Sequence, residues 1–348
     1  MDFRKILEEC KADSLVFFTD GSHVDENFYY FTGLSKSIQV TSTVIVTRNG
    51  PVIVTNRLEA GIFRGKKEII ENREDAEKAM RKHAGKKVGI DYSSITARRF
   101  MHFRRVLKGR KITDISKNME AIRSVKDRHE IIKIREACRI AEEILDDMGA
   151  LVRKSRTEKD LAAELDYAAR RNDAEALSFP PIVASGKNSA IPHHVPGKSK
   201  LGKGILLADF GVVHEGYCSD LTRVFCIGKS DEETRNVYDV VYSAQQAAIS
   251  AIKDGANSRD IHAAADKILE SRLGKKMIHS VGHGIGIAIH EQPGISEKSK
   301  NFLKNNMVIT AEPGYYKRGW GGIRIEDDVL VGKKAILLSR APSFLTEI

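Results

Sequence analysis

Cysteine is scarce in this chain: Cys10, Cys138, Cys218 and Cys226 are the only four among 348 residues, and they form neither a CxxC pair nor a Cys/His cluster. That argues against a disulfide framework and against a cysteine-rich structural zinc. Long apolar runs are missing as well. No stretch of 18 apolar residues occurs, so no membrane-spanning helix is expected. The opening residues MDFRKILEECKADS carry charges where a secretion signal needs an apolar core, and the expected location is cytoplasmic. Positive charge is not concentrated either. The 57 Lys and Arg exceed the 47 Asp and Glu by a formal +10, but no five or six basic residues stand together, so the surplus reads as a solubility trait and not as a nucleic-acid footprint. Glutamine is limited to Gln39, Gln245, Gln246 and Gln292, a trait of heat-adapted compositions.

What remains is an ordinary globular composition, 41% hydrophobic and 30% charged, at a length that favours two domains. Residues 1–118 read as a small α/β unit. SLVFFTD and NFYYFTGL, rich in aromatic and β-branched residues, read as strands. TSTVIVT and PVIVT flank Arg48-Asn49-Gly50, whose Asn-Gly pair signals a hairpin. KKVGIDYS offers a further strand and ITARRFMHFRRVL a basic helix, with no catalytic constellation among them. Residues 119–348 form the second unit. Asp127 and Glu130 make a capping pair ahead of an apolar set, Ile131, Ile134, Cys138, Ile144, Leu145 and Met148, spaced for about six helical turns. Thr157 with Asp160 starts a second helix, followed by strand-like PIVAS and by the pair GILLADFGVV and YCSDLTRVFCI. The order then repeats: a helix from Ser230 to about Lys253, another from Ser258 to Leu273 stopped by Gly274, and strands. The expectation is two related halves folded around one sheet, in an α/β (α+β) chain.

The chemistry concentrates in ILLADFGVVHEGYCSDLTRVF. A two-residue turn at Glu215-Gly216 pairs His214 with Tyr217, Gly211 with Asp220, and Asp209 with Thr222. In that register Asp209 and Asp220 share a face as diagonal neighbours roughly 7–8 Å apart, so their carboxylates can converge on one cation. A slip of one residue would send Asp220 to the opposite face. Three more donors follow in apolar or Gly-rich settings: His283 in IHSVGHGIGIAIHE, Glu312 in MVITAEPGYY and Glu326 in GGIRIEDDVLV. Any one alone would read as a hydrogen-bonded core group. Four acids and an imidazole in core strands together require cations to neutralise them. Mostly hard ligands of this kind suit Mn²⁺, Co²⁺, Fe²⁺ or Zn²⁺, and two divalent ions sharing a water and a carbonyl are the layout of a hydrolase.

These motifs, with VASGKNSAIPHH, span 122–331 and resemble the pita-bread metallopeptidases, above all their proline-specific branch of Xaa-Pro dipeptidase (prolidase) and aminopeptidase P. NFYYFTGL resembles that branch's accessory domain more faintly. The resemblance implies an N-terminal accessory domain before a pita-bread catalytic domain, a homodimer, and two divalent ions per chain held by Asp209, Asp220, His283, Glu312 and Glu326, with Glu326 bridging. It makes Glu312 the proton shuttle and His290 the group that polarises the scissile carbonyl. His193 corresponds to the substrate-contacting histidine, although His194 competes in this PHH sequence. Arg324 shares a strand face with Glu326, and either meets a substrate carboxylate or holds a ligand acid in place. His214 and His279 read as ordinary histidines, and Arg223 and Asp327 as structural. Thr222, opposite Asp209, is placed to donate to a ligand carboxylate.

The function implied is hydrolysis of the bond between an N-terminal residue and proline in dipeptides. An Xaa-Pro aminopeptidase acting on longer peptides is the alternative. Methionine aminopeptidase ranks lower because enzymes of that type and size lack such an N-terminal unit. A non-enzymatic binding protein of this fold, or a metal-free creatinase relative, would not need all five ligands.

Overall fold

β-Branched apolar runs on either side of the Arg48-Asn49 turn form a hairpin, Thr47 pairing with Gly50, that anchors a six-stranded sheet. In this computed structural model, which describes every residue except Ser22, Ala341 and Ser343, the chain divides into Met1–Arg123 and Ser124–Ile348. The first unit runs α1 (Phe3–Glu9), β1 (Ser14–Thr19), α2 (Glu26–Thr32), β2 (Ser42–Thr47), β3 (Gly50–Asn56), β4 (Lys66–Ile70), α3 (Arg73–His83), β5 (Lys87–Ile90), α4 (Ala97–Val106), β6 (Lys111–Asp114) and α5 (Ser116–Ser124). The sheet order is β4-β3-β2-β1-β5-β6, with β2 antiparallel to both neighbours and the remaining pairs parallel. Val16, Phe18, Ile45 and Val54 pack with Met80 and Phe103 from α3 and α4.

NFYYFTGL is not a strand. Asp25 caps its start by accepting from the Asn27 N–H at 3.0 Å, and Gly33 ends it in the left-handed region at φ 69°. Phe28, Tyr29 and Phe31 are all buried from the resulting helix α2, so capping and packing override aromatic β-propensity.

Burial, with Asp91 beside it, pushes the Asp25 carboxyl up to about 7. A carboxyl raised on folding stabilises fully below its unfolded value and loses that contribution as pH rises through the folded one. Asp25→Asn keeps the capping oxygen but cannot ionise. Between pH 4 and 8 the substituted protein should lose less unfolding free energy than wild type, by on the order of 4 kcal/mol in the first unit. Identical pH slopes in thermal unfolding would show that the carboxylate is not penalised.

The second unit begins with α6 (Arg128–Asp146), α7 (Met148–Lys154) and α8 (Glu158–Arg171). Capping boxes at Asp127/Glu130 and Thr157/Asp160 start α6 and α8. The expected six-turn helix is interrupted at Asp147, and Met148 opens α7. Then come β7 (Ala176–Leu177), β8 (Ile182–Ser185), β9 (Gly204–Phe210), β10 (Val212–His214), β11 (Tyr217–Cys218) and β12 (Leu221–Ile227). The repeat follows with α9 (Glu232–Ala251) and α10 (Ser258–Leu273), the latter closed by Gly274 at φ 69°. Strands β13 (Gly282–Gly284), β14 (Glu291–Ile295), β15 (Val308–Ala311), β16 (Gly314–Lys317), β17 (Gly321–Arg324), β18 (Asp327–Leu330), β19 (Ile336–Leu337) and β20 (Thr346–Glu347) complete it.

The strands form two principal sheets, β20-β12-β9-β8 and β14-β13-β15-β18-β19, and not the one sheet expected. They meet where the Glu326 N–H donates to the Thr222 carbonyl at 3.2 Å. Alternation along β9 and β12 decides what each face sees. Leu206, Ala208, Phe210, Leu221 and Phe225 pack with α6 and α8, whereas Ile205, Leu207 and Val224 pack with α9, α10 and the second sheet. Asp209, Asp220 and Thr222 have the parity of the second set, which turns them toward the place where the two sheets meet.

Candidate metal centre

The hairpin register that the acids require is present. His214 pairs with Tyr217 and Thr222 with Asp209. Backbone proximity makes Gly211 obligatory beside Ser219, because a Cβ there would lie 1.7 Å from the Ser219 carbonyl oxygen. Asp209 therefore lies near the end of β9 and Asp220 just before β12, both buried.

The other donors arrive from the second half. His283 sits on β13, Glu312 just past β15, and Glu326 between β17 and β18. Donor atoms of Asp220, His283 and Glu326 all lie within 4.8 Å of one another. His283 Nε2 is 3.5 Å from Asp220 Oδ2 and 3.6 Å from Glu312 Oε1. Its Nδ1 faces the Gly284 carbonyl at 3.0 Å, so Nδ1 carries the proton and Nε2 presents its lone pair to the acids. Burial raises the Asp220 and Glu326 carboxyls well above their ordinary values, and the charges of the neighbouring acids raise them further. Burial raises Asp209 too, opposed by the Arg324 guanidinium. One Asp209 oxygen, Oδ1, is buried without a hydrogen-bond partner. Crowded buried acids, an orphaned carboxylate oxygen and a correctly oriented imidazole fit divalent cations.

Around this cluster lies a layer of fixed polar groups. Thr222 Oγ1 donates to Glu326 Oε2 at 2.6 Å and accepts from Arg324 Nε at 3.1 Å. Arg324 also donates to Asp209 Oδ2, to the Tyr316 hydroxyl at 2.8 Å and to the Pro192 carbonyl at 3.3 Å. Tyr316 escaped the reading of the sequence, as did the part played by His279. The His279 Nδ1 faces its neighbour's carbonyl at 2.7 Å, leaving Nε2 to accept from Tyr316 at 3.1 Å. A tyrosine four residues after Glu312 was the available signal. Behind the cluster, Arg223 pairs with Asp327 at 2.8 Å, and Gln245 and Ser339 donate to the same carboxylate. Asp328 accepts from the Asp220 N–H at 3.0 Å, and burial pushes its carboxyl up to about 7. His214 is on β10, paired with Tyr217.

The two histidines of the PHH sequence part company. His194 Nε2 is held 2.8 Å from Glu158 Oε2, and Glu158 also accepts from Ser185, Asn188 and Gly197. His193 is exposed and is not part of that node; its charge is felt by His279 and His290. The His290 ring centroid is 4.3 Å from that of His283. Desolvation, with the adjoining His283 ring next, lowers His290 from its ordinary value, which favours a neutral ring able to donate one N–H.

Acids gathered about His283 where two helix-and-sheet halves meet are a donor set of the kind a metal-dependent hydrolase uses. The chain belongs to metallopeptidase family M24, whose profile matches residues 132–333, and residues 2–125 match the creatinase/prolidase N-terminal domain. The Xaa-Pro dipeptidase of Pyrococcus furiosus is 38% identical over 226 residues, 64% of each chain. An uncharacterized peptidase of Staphylococcus saprophyticus is 32% identical over 344 residues, 95% of this chain and 96% of the relative. The crystal structure of an X-Pro aminopeptidase from Thermotoga maritima superposes with a TM-score of 0.90 at 28% identity, covering 99% of this chain and all of that one.

Proposed function

We propose that the protein is an Xaa-Pro dipeptidase that cleaves the peptide bond between an N-terminal residue and proline. The observation that carries this is the convergence of Asp220, His283 and Glu326 donors within 4.8 Å, with Glu312 against the same imidazole, in a chain similar to an Xaa-Pro dipeptidase.

Asp209, Asp220, His283, Glu312 and Glu326 are the residues that would hold two divalent ions, with Glu326 the candidate to be shared by both. Such ions supply Lewis acidity and lower the pKa of water near neutrality. Glu312 takes the proton of the attacking water on its carboxylate and passes it to the departing prolyl nitrogen. His290 donates from its neutral ring to the carbonyl oxygen as negative charge develops there. His193 orients the substrate from the rim. Arg324 keeps Asp209 in place through its bonds to Asp209, Thr222 and Tyr316; a substrate carboxylate would have to displace one of these to reach it. Residues 1–118 act as the accessory unit and 119–348 as the catalytic one. Family resemblance supports Mn²⁺ or Co²⁺ ahead of Zn²⁺ or Fe²⁺, a homodimer, and a cytoplasmic location. Among the described residues no helix is long and apolar enough to cross a membrane.

Proline selectivity has a physical rationale. A prolyl nitrogen carries no hydrogen, so a wall can close over the ring without supplying an acceptor, whereas alanine there buries an unpaired N–H costing about 1–3 kcal/mol. Met-Pro should therefore be cleaved about tenfold to a hundredfold better than Met-Ala in kcat/KM. Equal rates would remove the protein from the proline-specific branch. The second reading, an aminopeptidase on longer peptides, is favoured by the Thermotoga maritima structure. Amidating the Met-Pro carboxyl separates the two: the dipeptidase loses rate and the aminopeptidase does not.

A further inference from the structure

His290 is exposed, and its ring rests on that of His283, so where the ring sits depends on what fixes the loop that carries it. Immediately after it, Glu291 turns its carboxylate beneath the loop, where Oε2 lies 3.2 Å from Lys126 Nζ and Oε1 accepts the Ala288 N–H at 3.2 Å. The two charged side chains are only 5% and 1% exposed. Lys126 Nζ donates as well to the Ser124 carbonyl at 3.3 Å. The fit is tight, because a Cβ on Gly286 would lie 2.7 Å from the same Glu291 carboxylate. Across the loop, the Gly286 carbonyl accepts from Cys218 N at 2.8 Å. Lys126 is itself rooted: its N–H donates to the Asn306 carbonyl at 2.9 Å, and Val125 bridges Met307, on the segment that leads into β15 and Glu312.

We propose that Lys126 and Glu291 are positioning residues, a buried charged clamp that fixes the His290 loop relative to the segment carrying Glu312. The proposal rests on His290 acting in the reaction as described above. The choice of charge is the argument. Two apolar side chains of similar size would fill this space without the cost of desolvating an ion pair. What the pair adds is direction, since an ammonium aimed at one carboxylate oxygen and an amide N–H at the other permit a single placement of the loop. A shift of about 1 Å at a catalytic group can cost on the order of a hundredfold in rate.

Lys126→Met alone strands a buried carboxylate and threatens folding, so the decisive variant is Lys126→Met/Glu291→Gln, which removes both charges at nearly constant volume. It is made in the full-length protein with and without His290→Ala, and metal content, melting temperature, kcat and KM on Met-Pro are measured. The double variant should keep its metal and its melting temperature, leave KM within about threefold, and lower kcat on the order of tenfold to a hundredfold. With His290 already replaced, the same pair of substitutions should change kcat by less than about twofold, because the group it positions is gone. Wild-type kcat in the double variant, or an equal loss in both backgrounds, would overturn the proposal. A crystal structure of the double variant gives a readout independent of activity: the His283–His290 ring separation, 4.3 Å here, should widen, and an unchanged separation would also overturn it. If wild type fails to cleave Met-Pro, the functional reading falls and the ring separation alone decides the clamp.

Discussion

Glu326→Gln should abolish measurable hydrolysis and lower bound metal by at least one ion per chain, while the protein remains folded. Glu326 is crowded by other acids, held above its ordinary value by burial and then by Asp220, Glu312 and Asp209. In the absence of cations that crowding is unfavourable, so removing one charge does not threaten the fold. It does remove a charged donor whose neighbours are committed elsewhere: Thr222 spends its hydroxyl hydrogen on this carboxylate, Arg223 and Asp327 bond each other, and Asp328 accepts from the Asp220 N–H. Asp220→Asn should behave alike. Elemental analysis after dialysis, beside a melting curve, checks the prediction. Full metal content in Glu326→Gln would mean that the bridging position belongs to another residue.

His290→Ala should keep the metal and lose on the order of 10²–10³ in kcat, the scale of deleting one transition-state donor. The separation from metal binding follows from geometry. His283 presents Nε2 to Asp220 and Glu312, whereas His290 meets that centre through a ring contact with His283 and has no donor among those grouped within 4.8 Å. His193→Ala, on the rim, should raise KM more than it lowers kcat. Metal loss in either variant would reverse the division between ligands and substrate contacts.

The parts of the site that the sequence made legible are those that depend on short-range rules. A two-residue turn sets a hairpin register, and that register places Asp209 opposite Thr222 in the folded protein. Capping pairs and a stop glycine likewise located α6, α8 and α10. Where two local signals competed, the sequence misled. NFYYFTGL has strand-like side chains, but Asp25 and Gly33 cap it as a helix. The single expected sheet is two, because β9 and β12 pair with each other along their length and meet the second sheet through side-chain packing and the Glu326 N–H to Thr222 bond, not through a continuous ladder.

Long-range partnerships left no local trace. The spacing of Tyr316 from Glu312 places it near the site but does not indicate that its hydroxyl ties His279 to Arg324, and Lys126 lies 165 positions from the carboxylate it meets. Nor does the PHH sequence indicate that Glu158, at the start of α8, pairs with His194.

The central claim is that these residues form a divalent-metal peptidase centre acting before proline. It is tested most directly by stripping the purified protein with a chelator, titrating Mn²⁺ or Co²⁺ back, and following bound metal and Met-Pro hydrolysis together. The predicted result is an inactive metal-free protein whose activity returns as up to two ions per chain are bound. Hydrolysis of Met-Pro by fully metal-free protein would contradict the claim.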